Sequence, residues 1–76
     1  MTNNLHVYRG TSQRFQARGR YFGHQKYILI GKPTKSCDAA CMRAVKALLY
    51  HQYKRVDVLM STDYYEPVQV MEMVRR

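Results

Sequence analysis

The stretch RFQARGRYF, residues 14–22, decides the fold. It sets Arg14, Gln16, Arg18 and Arg20 on one phase and Phe15, Ala17, Gly19 and Tyr21 on the other. An extended chain turns successive side chains to opposite faces, so this order predicts a strand with one cationic face and one apolar face. The apolar face needs a core, and the cationic face suits an anion.

The neighbouring residues predict its companions. Leu5 to Arg9 reads as a short strand, Gly10 to Gln13 as a turn, and Phe22-Gly23-His24 as the close of a hairpin in which Gly23 takes a positive φ at little cost. His24 to Gly31 (HQKYILIG) returns as a third strand, its Tyr, Ile and Leu residues suited to a half-buried sheet. Beyond Gly31 and Pro33 the period changes. Ser36 is a good N-cap and Asp38 stands in the first turn, so SCDAACMRAVKALLYHQY predicts one helix. Its stripe of Cys37, Cys41, Ala44, Val45, Leu48 and Leu49 should lie on the sheet, with Arg43, Lys46, Ala47 and Tyr50 nearer solvent. Two further strands follow, Arg55 to Ser61 and Val68 to Val74, the second at an edge or beginning after Pro67. The expected class is α+β: a small antiparallel sheet of three N-terminal strands packed on one α-helix, with two C-terminal strands, in the order βββαββ.

A chain of 76 residues allows one domain with one small core. It has no apolar run near the roughly 20 residues of a membrane helix, and MTNNLHVYRG lacks the basic-then-apolar order of a signal peptide. A soluble cytoplasmic protein, of a bacterial or phage-infected cell, is expected. Cys37 and Cys41, four apart on one helix, make no disulfide framework and suit a reducing compartment. The net charge is +8, and it is unevenly spread. Residues 1–36 hold seven cations and no acid, whereas all five acids stand in the remainder beside six cations. Solubility alone makes many small proteins basic, but segregated charge is the footprint of a polyanion-binding face.

Tyr8-Arg9-Gly10, Arg14, the Ala17-x-x-Arg20 strand, Ile28-Leu29-Ile30-Gly31 and Asp38-Ala39-Ala40 follow one another in an order that resembles the signature of AP2/ERF-type DNA-binding domains. The similarity covers about residues 7–50, leaving 54–74 as a C-terminal β-extension of the single domain. Family members, and the similar arm-binding domains of integrases, lay a three-stranded sheet into the major groove with the helix on its back. The resemblance implies DNA contacts for Arg9, Arg14 and Arg20, and helix-facing places for Ala17, Ile28, Ile30 and Ala40. The chain departs from the family in having no tryptophan and in placing Arg18 where an acid is usual.

Chemistry and resemblance together predict double-stranded DNA binding through Arg9, Arg14, Arg18, Arg20 and Lys26, with Gln16 and Tyr27 as lesser contacts. A guanidinium fork takes two phosphate oxygens or the O6/N7 edge of guanine, and lysines add mobile point charges. Unpaired RNA is the related possibility, with Tyr21 and Tyr27 as stacking platforms; against it, Tyr21 shares the phase of Phe15 and suits the core.

The alternative class is a small phage-type modulator, resembling anti-CRISPR proteins, that binds a host protein or nucleoprotein complex. Tyr64, Tyr65, Met71 and Met73 would then form its apolar hot spot, if they do not simply complete the core. An exposed edge strand near either terminus offers a route to a homodimer. No cofactor, metal or enzymatic activity is expected: Cys37, Cys41 and His51 fall short of a four-ligand zinc site, and no Ser/His/Asp set, carboxylate pair or phosphate loop is evident.

Overall fold

The computed structural model describes residues 13–63 and 65–76. Its elements are β1 (Arg14–Tyr21), β2 (Ile28–Thr34), α1 (Cys37–Tyr50), β3 (Tyr53–Ser61) and β4 (Val68–Val74). The strands form one antiparallel sheet in the order β2-β1-β3-β4, with the helix across one face.

This corrects the expected arrangement while keeping its class. Among the described residues two strands precede the helix, not three; the expected strand Leu5 to Arg9 lies outside them. The post-helical β3 is an interior strand, held on one side by β1 and on the other by β4. Its sequence explains the place. Val56 and Val58 are fully buried towards the helix, and a strand that buries two valines wants a neighbour on each side.

Alternation in β1 sorts side chains as its sequence predicts: Phe15, Ala17 and Gly19 are buried, while Arg14, Gln16, Arg18 and Arg20 are not. Opposed residues in a ladder share a face. Ala17 pairs with Ile30 and Val58, and Gly19 with Val56, so these residues make the helix-facing side. Tyr53 closes one end of it. A Cβ on Gly19 would stand 2.5 Å from Tyr53 Cδ1, so the absence of a side chain is what lets that ring lie on the strand. Tyr21 stacks on the same ring at 4.4 Å, and burial pushes the Tyr53 phenol up to about 12, aided by its hydrogen bond with Tyr21.

The helix starts where its cap predicts: Ser36 Oγ accepts from the Ala39 amide at 3.1 Å, and Asp38 stands in the first turn. Its buried stripe is rotated from the expected one. Ala40, Ala44, Ala47 and Leu48 are buried, Cys37, Cys41 and Val45 are intermediate, and Leu49 is exposed. Three alanines at i, i+4 and i+7 bring the helix axis close to the sheet, which a stripe centred on the leucines would not. The helix also ends at Tyr50, three residues early, because Tyr53 joins β3 and is drawn onto Gly19.

In its last turn α1 has no basic residue, and Arg75 supplies one from the far end of the chain. The Arg75 guanidinium donates to the carbonyls of Tyr53 and His51, both at 2.8 Å, and to that of Leu48. It thereby caps the negative end of the helix and pins the residues after β4 to it. No helix among the described residues is long and apolar enough to cross a membrane.

Candidate nucleic-acid interface

Opposite the helix the sheet is open. Its cross-strand pairs set Arg18 beside Asp57 and Leu29, Arg20 beside Arg55, Asp57 beside Glu72, and Leu59 beside Gln16 and Gln69. With Arg14, opposite Ser61, four arginines share this face with two acids, and the hydrogen bonds decide which cations are offset by a carboxylate.

Arg18 is in the middle and is neutralised. Its Nε donates to Asp57 Oδ1 at 2.9 Å and its Nη2 to Asp57 Oδ2 at 2.5 Å. Asp57 is fully buried although it sits on the open side, and Gln69 Nε2 gives it a further bond at 3.0 Å. Tyr27 covers the pair from above, with the Arg18 guanidinium 4.0 Å from its ring centre. The bond to Asp57 raises the Arg18 pKa, against the lowering effect of burial. Nearby, Arg55 Nη1 meets Glu72 Oε2 at 2.9 Å, with both side chains about a third exposed (34 %), and Arg55 Nε is buried without a hydrogen-bond partner.

The other expected contacts fare differently. Arg14 is exposed at the start of β1, and Lys26 is exposed in the β1–β2 loop. Arg20 donates to the His24 carbonyl at 2.7 Å, which fixes the side chain and leaves its charge uncancelled. The Gln16 amide is occupied by the carbonyls of Ala17, Ile30 and Gly31, filling the irregularity in the β1–β2 ladder. Tyr27 is taken up by Arg18, and Tyr21 by Tyr53. Arg9 lies outside the described residues. Thus, of the expected contacts among the described residues, Arg14, Arg20 and Lys26 are the cations not paired with an acid.

Loop 22–27 brings Lys26 and Tyr27 there because β2 begins at Ile28, four residues later than His24. Gly23 turns the chain at φ 78° and His24 N closes the turn onto the Tyr21 carbonyl at 3.2 Å. The longer loop lets Tyr27 fold over Arg18 rather than continue the ladder.

Sequence reasoning did not single out Asp57 or Arg55. The alternation of RVDVLMS does carry the signal: with Val56 and Val58 inward, Asp57 must face the arginines of a neighbouring strand. Of the expected apolar cluster, Met71 packs against the core and Met73 is exposed on β4, while Tyr64 lies outside the described residues. Cys37 and Cys41 are free thiols with sulfurs 3.9 Å apart, and burial pushes the Cys41 thiol up. No family model matches the chain, and neither a curated protein nor a solved structure does.

Proposed function

We propose that this chain is a nucleic-acid-binding protein that takes duplex DNA on the open face of its sheet. The observation that carries the reading is the sorting of β1: its arginines stand on the side the helix leaves uncovered, and its apolar residues on the other. Arg14 and Arg20 bracket the face, and Lys26 extends it beyond the end of β1. These three make the ionic contacts. A strand ribbon is narrow enough for the major groove, and a guanidinium there can address phosphate or guanine. Arg18 acts differently: tied to Asp57 beneath Tyr27, it positions the strand pair rather than donating a free charge. The resemblance of residues 7–50 to AP2/ERF-type domains supports the same choice of face.

Neutralising about three phosphates gives a salt slope near −2.7 in log affinity against log salt, since each contact contributes roughly −0.9. The test is fluorescence anisotropy with a blunt duplex across a salt series, comparing the wild type with Arg14→Ala/Arg20→Ala/Lys26→Ala. The variant is expected to bind more weakly and with a slope shallower by about 2.7. Equal binding by both proteins removes this face from the reading. No binding to duplex at low salt removes the reading itself and leaves the apolar edge strand β4, and with it a protein partner, as the working surface.

A further inference from the structure

The end of the molecule where the helix stops is built on a different electrostatic plan from the sheet centre. Beside the middle of the helix Arg43 donates to the Lys32 carbonyl at 2.6 Å, and at its end Lys54 donates to the Arg75 carbonyl at 2.9 Å and Arg75 to the carbonyls of Tyr53 and His51 at 2.8 Å. A carbonyl dipole holds a cation in place without cancelling its charge, as a carboxylate would. These cations are oriented and still positive.

Two open hollows of about 390 and 360 Å³ lie at this end, and both are lined by Tyr50 and His51. Neither is lined by a carboxylate. Phe22 and Tyr50 share the larger hollow with Arg75, and the two residues are 53 % and 77 % exposed. Lys54 lies 5.3 Å from the Phe22 ring centre. Rings that stand so far into water add little to the core. Lys54 stands over one face of Phe22, which leaves its other face and the Tyr50 ring for something planar.

An occupant matched to this end brings flat apolar faces for the two rings and negative charge at intervals for the cations around them. Unpaired nucleotides bring both, since every base has a stacking face and every linkage a phosphate. A duplex brings only the charge, because its base faces are already stacked on each other. An acidic peptide brings the charge too, but few of its side chains offer a flat face to stack on the rings.

We propose that this pole binds an unpaired stretch of nucleic acid, with bases stacked on Tyr50 and Phe22 and phosphates on Lys54, Arg75 and Lys46. The proposal rests on the polyanion reading above and divides it between two surfaces. Duplex lies on the open sheet face, and single strand lies at the helix end. Arg20 and Lys26, at the end of β1 and in the following loop, stand on the border between them.

The experiment measures anisotropy of a labelled dT oligomer, a labelled rU oligomer and a blunt duplex against the wild type, Phe22→Ala and Tyr50→Ala. Both rings are exposed, and circular dichroism checks that each variant keeps its fold. Each substitution is expected to weaken the oligomers about tenfold while leaving the duplex unchanged. The dT and rU arms show which sugar is preferred, and ring-dependent binding of either supports the proposal. If both oligomers bind the variants as tightly as the wild type, the proposal falls and the duplex reading stands. If neither oligomers nor duplex bind at low salt, both fall together. A labelled peptide of alternating Glu and Leu is the remaining arm: Tyr50-dependent capture of it, without capture of the oligomers, overturns the proposal in favour of a protein-docking site.

Discussion

On the open face Arg18 and Arg55 meet carboxylates, whereas along the helix Arg43, and at its end Lys54 and Arg75, meet carbonyl oxygens. Both arrangements fix the cation, but only the first offsets its charge with an opposite one. The net charge of +8 is therefore not expressed at the middle of the alternating strand, where Arg18 meets Asp57. It is spent on stability at the centre and remains available at the margins, at Arg14, at Arg20 and Lys26, and around the end of α1. Counting basic residues on a face overestimates the field above it unless their partners are counted as well.

The largest effect should come from breaking the centre. Asp57 is fully buried and accepts from Arg18 twice and from Gln69 once, so Asp57→Asn leaves a guanidinium under Tyr27 without its counter-charge and turns an acceptor into a donor. Removing one partner of a buried pair costs about 3–5 kcal/mol, to be read from urea unfolding. Replacing both residues, Arg18→Leu with Asp57→Leu, should recover most of that loss, because the desolvation cost disappears with the charges. A loss under about 1 kcal/mol for the single variant would mean that the pair is solvated, and that Arg18 belongs with the free cations after all.

A smaller effect is expected at the pole. Arg75→Ala removes the cation that satisfies the Leu48, His51 and Tyr53 carbonyls and should cost about 1–2 kcal/mol in thermal or urea unfolding. Arg75→Lys separates charge from geometry. An ammonium cannot reproduce the planar fork that reaches three carbonyls, so stability should recover only in part, while binding of the dT oligomer should stay near the wild type. Full recovery of stability by lysine would show that the helix end needs only a positive charge, not a shaped one.

The legible and illegible parts of the molecule divide along the same line. Properties that depend on one segment were readable: the two faces of β1, the Ser36 cap, and the bounds of β4, which runs from Val68 to Val74 as its residues predict. Properties that depend on pairing between distant segments were not. Nothing local in Tyr53 says that it leaves the helix to lie on Gly19, thirty-four positions earlier, and nothing in Arg75 says that it will cap α1. The interior place of β3 likewise follows from burial of Val56 and Val58, which a linear pattern gives as inward-facing without naming the neighbour. The site shares this fate. Arg14, Arg20 and Lys26 were visible as cations, but the loss of Arg18 to Asp57 appears only once β1 and β3 are in register.

The finest test of the comparison is a substitution that should barely touch stability. Arg55 and Glu72 are each about a third exposed (34 %) and joined by a 2.9 Å contact, so Glu72→Gln should change unfolding free energy by less than about 0.5 kcal/mol. Its consequence for binding is larger. Arg55 stands opposite Arg20 in the ladder, and without its acid it becomes a second uncancelled guanidinium at that end of the face. Duplex affinity should rise at low salt, and the salt slope should steepen by about 0.9, the contribution of one added phosphate contact. Binding of the dT oligomer should move less, since Glu72 lines neither hollow at the helix end. If duplex and single strand strengthen equally, the open face and the pole form one continuous field, and the distinction between cations held by carboxylates and cations held by carbonyls no longer separates two binding surfaces.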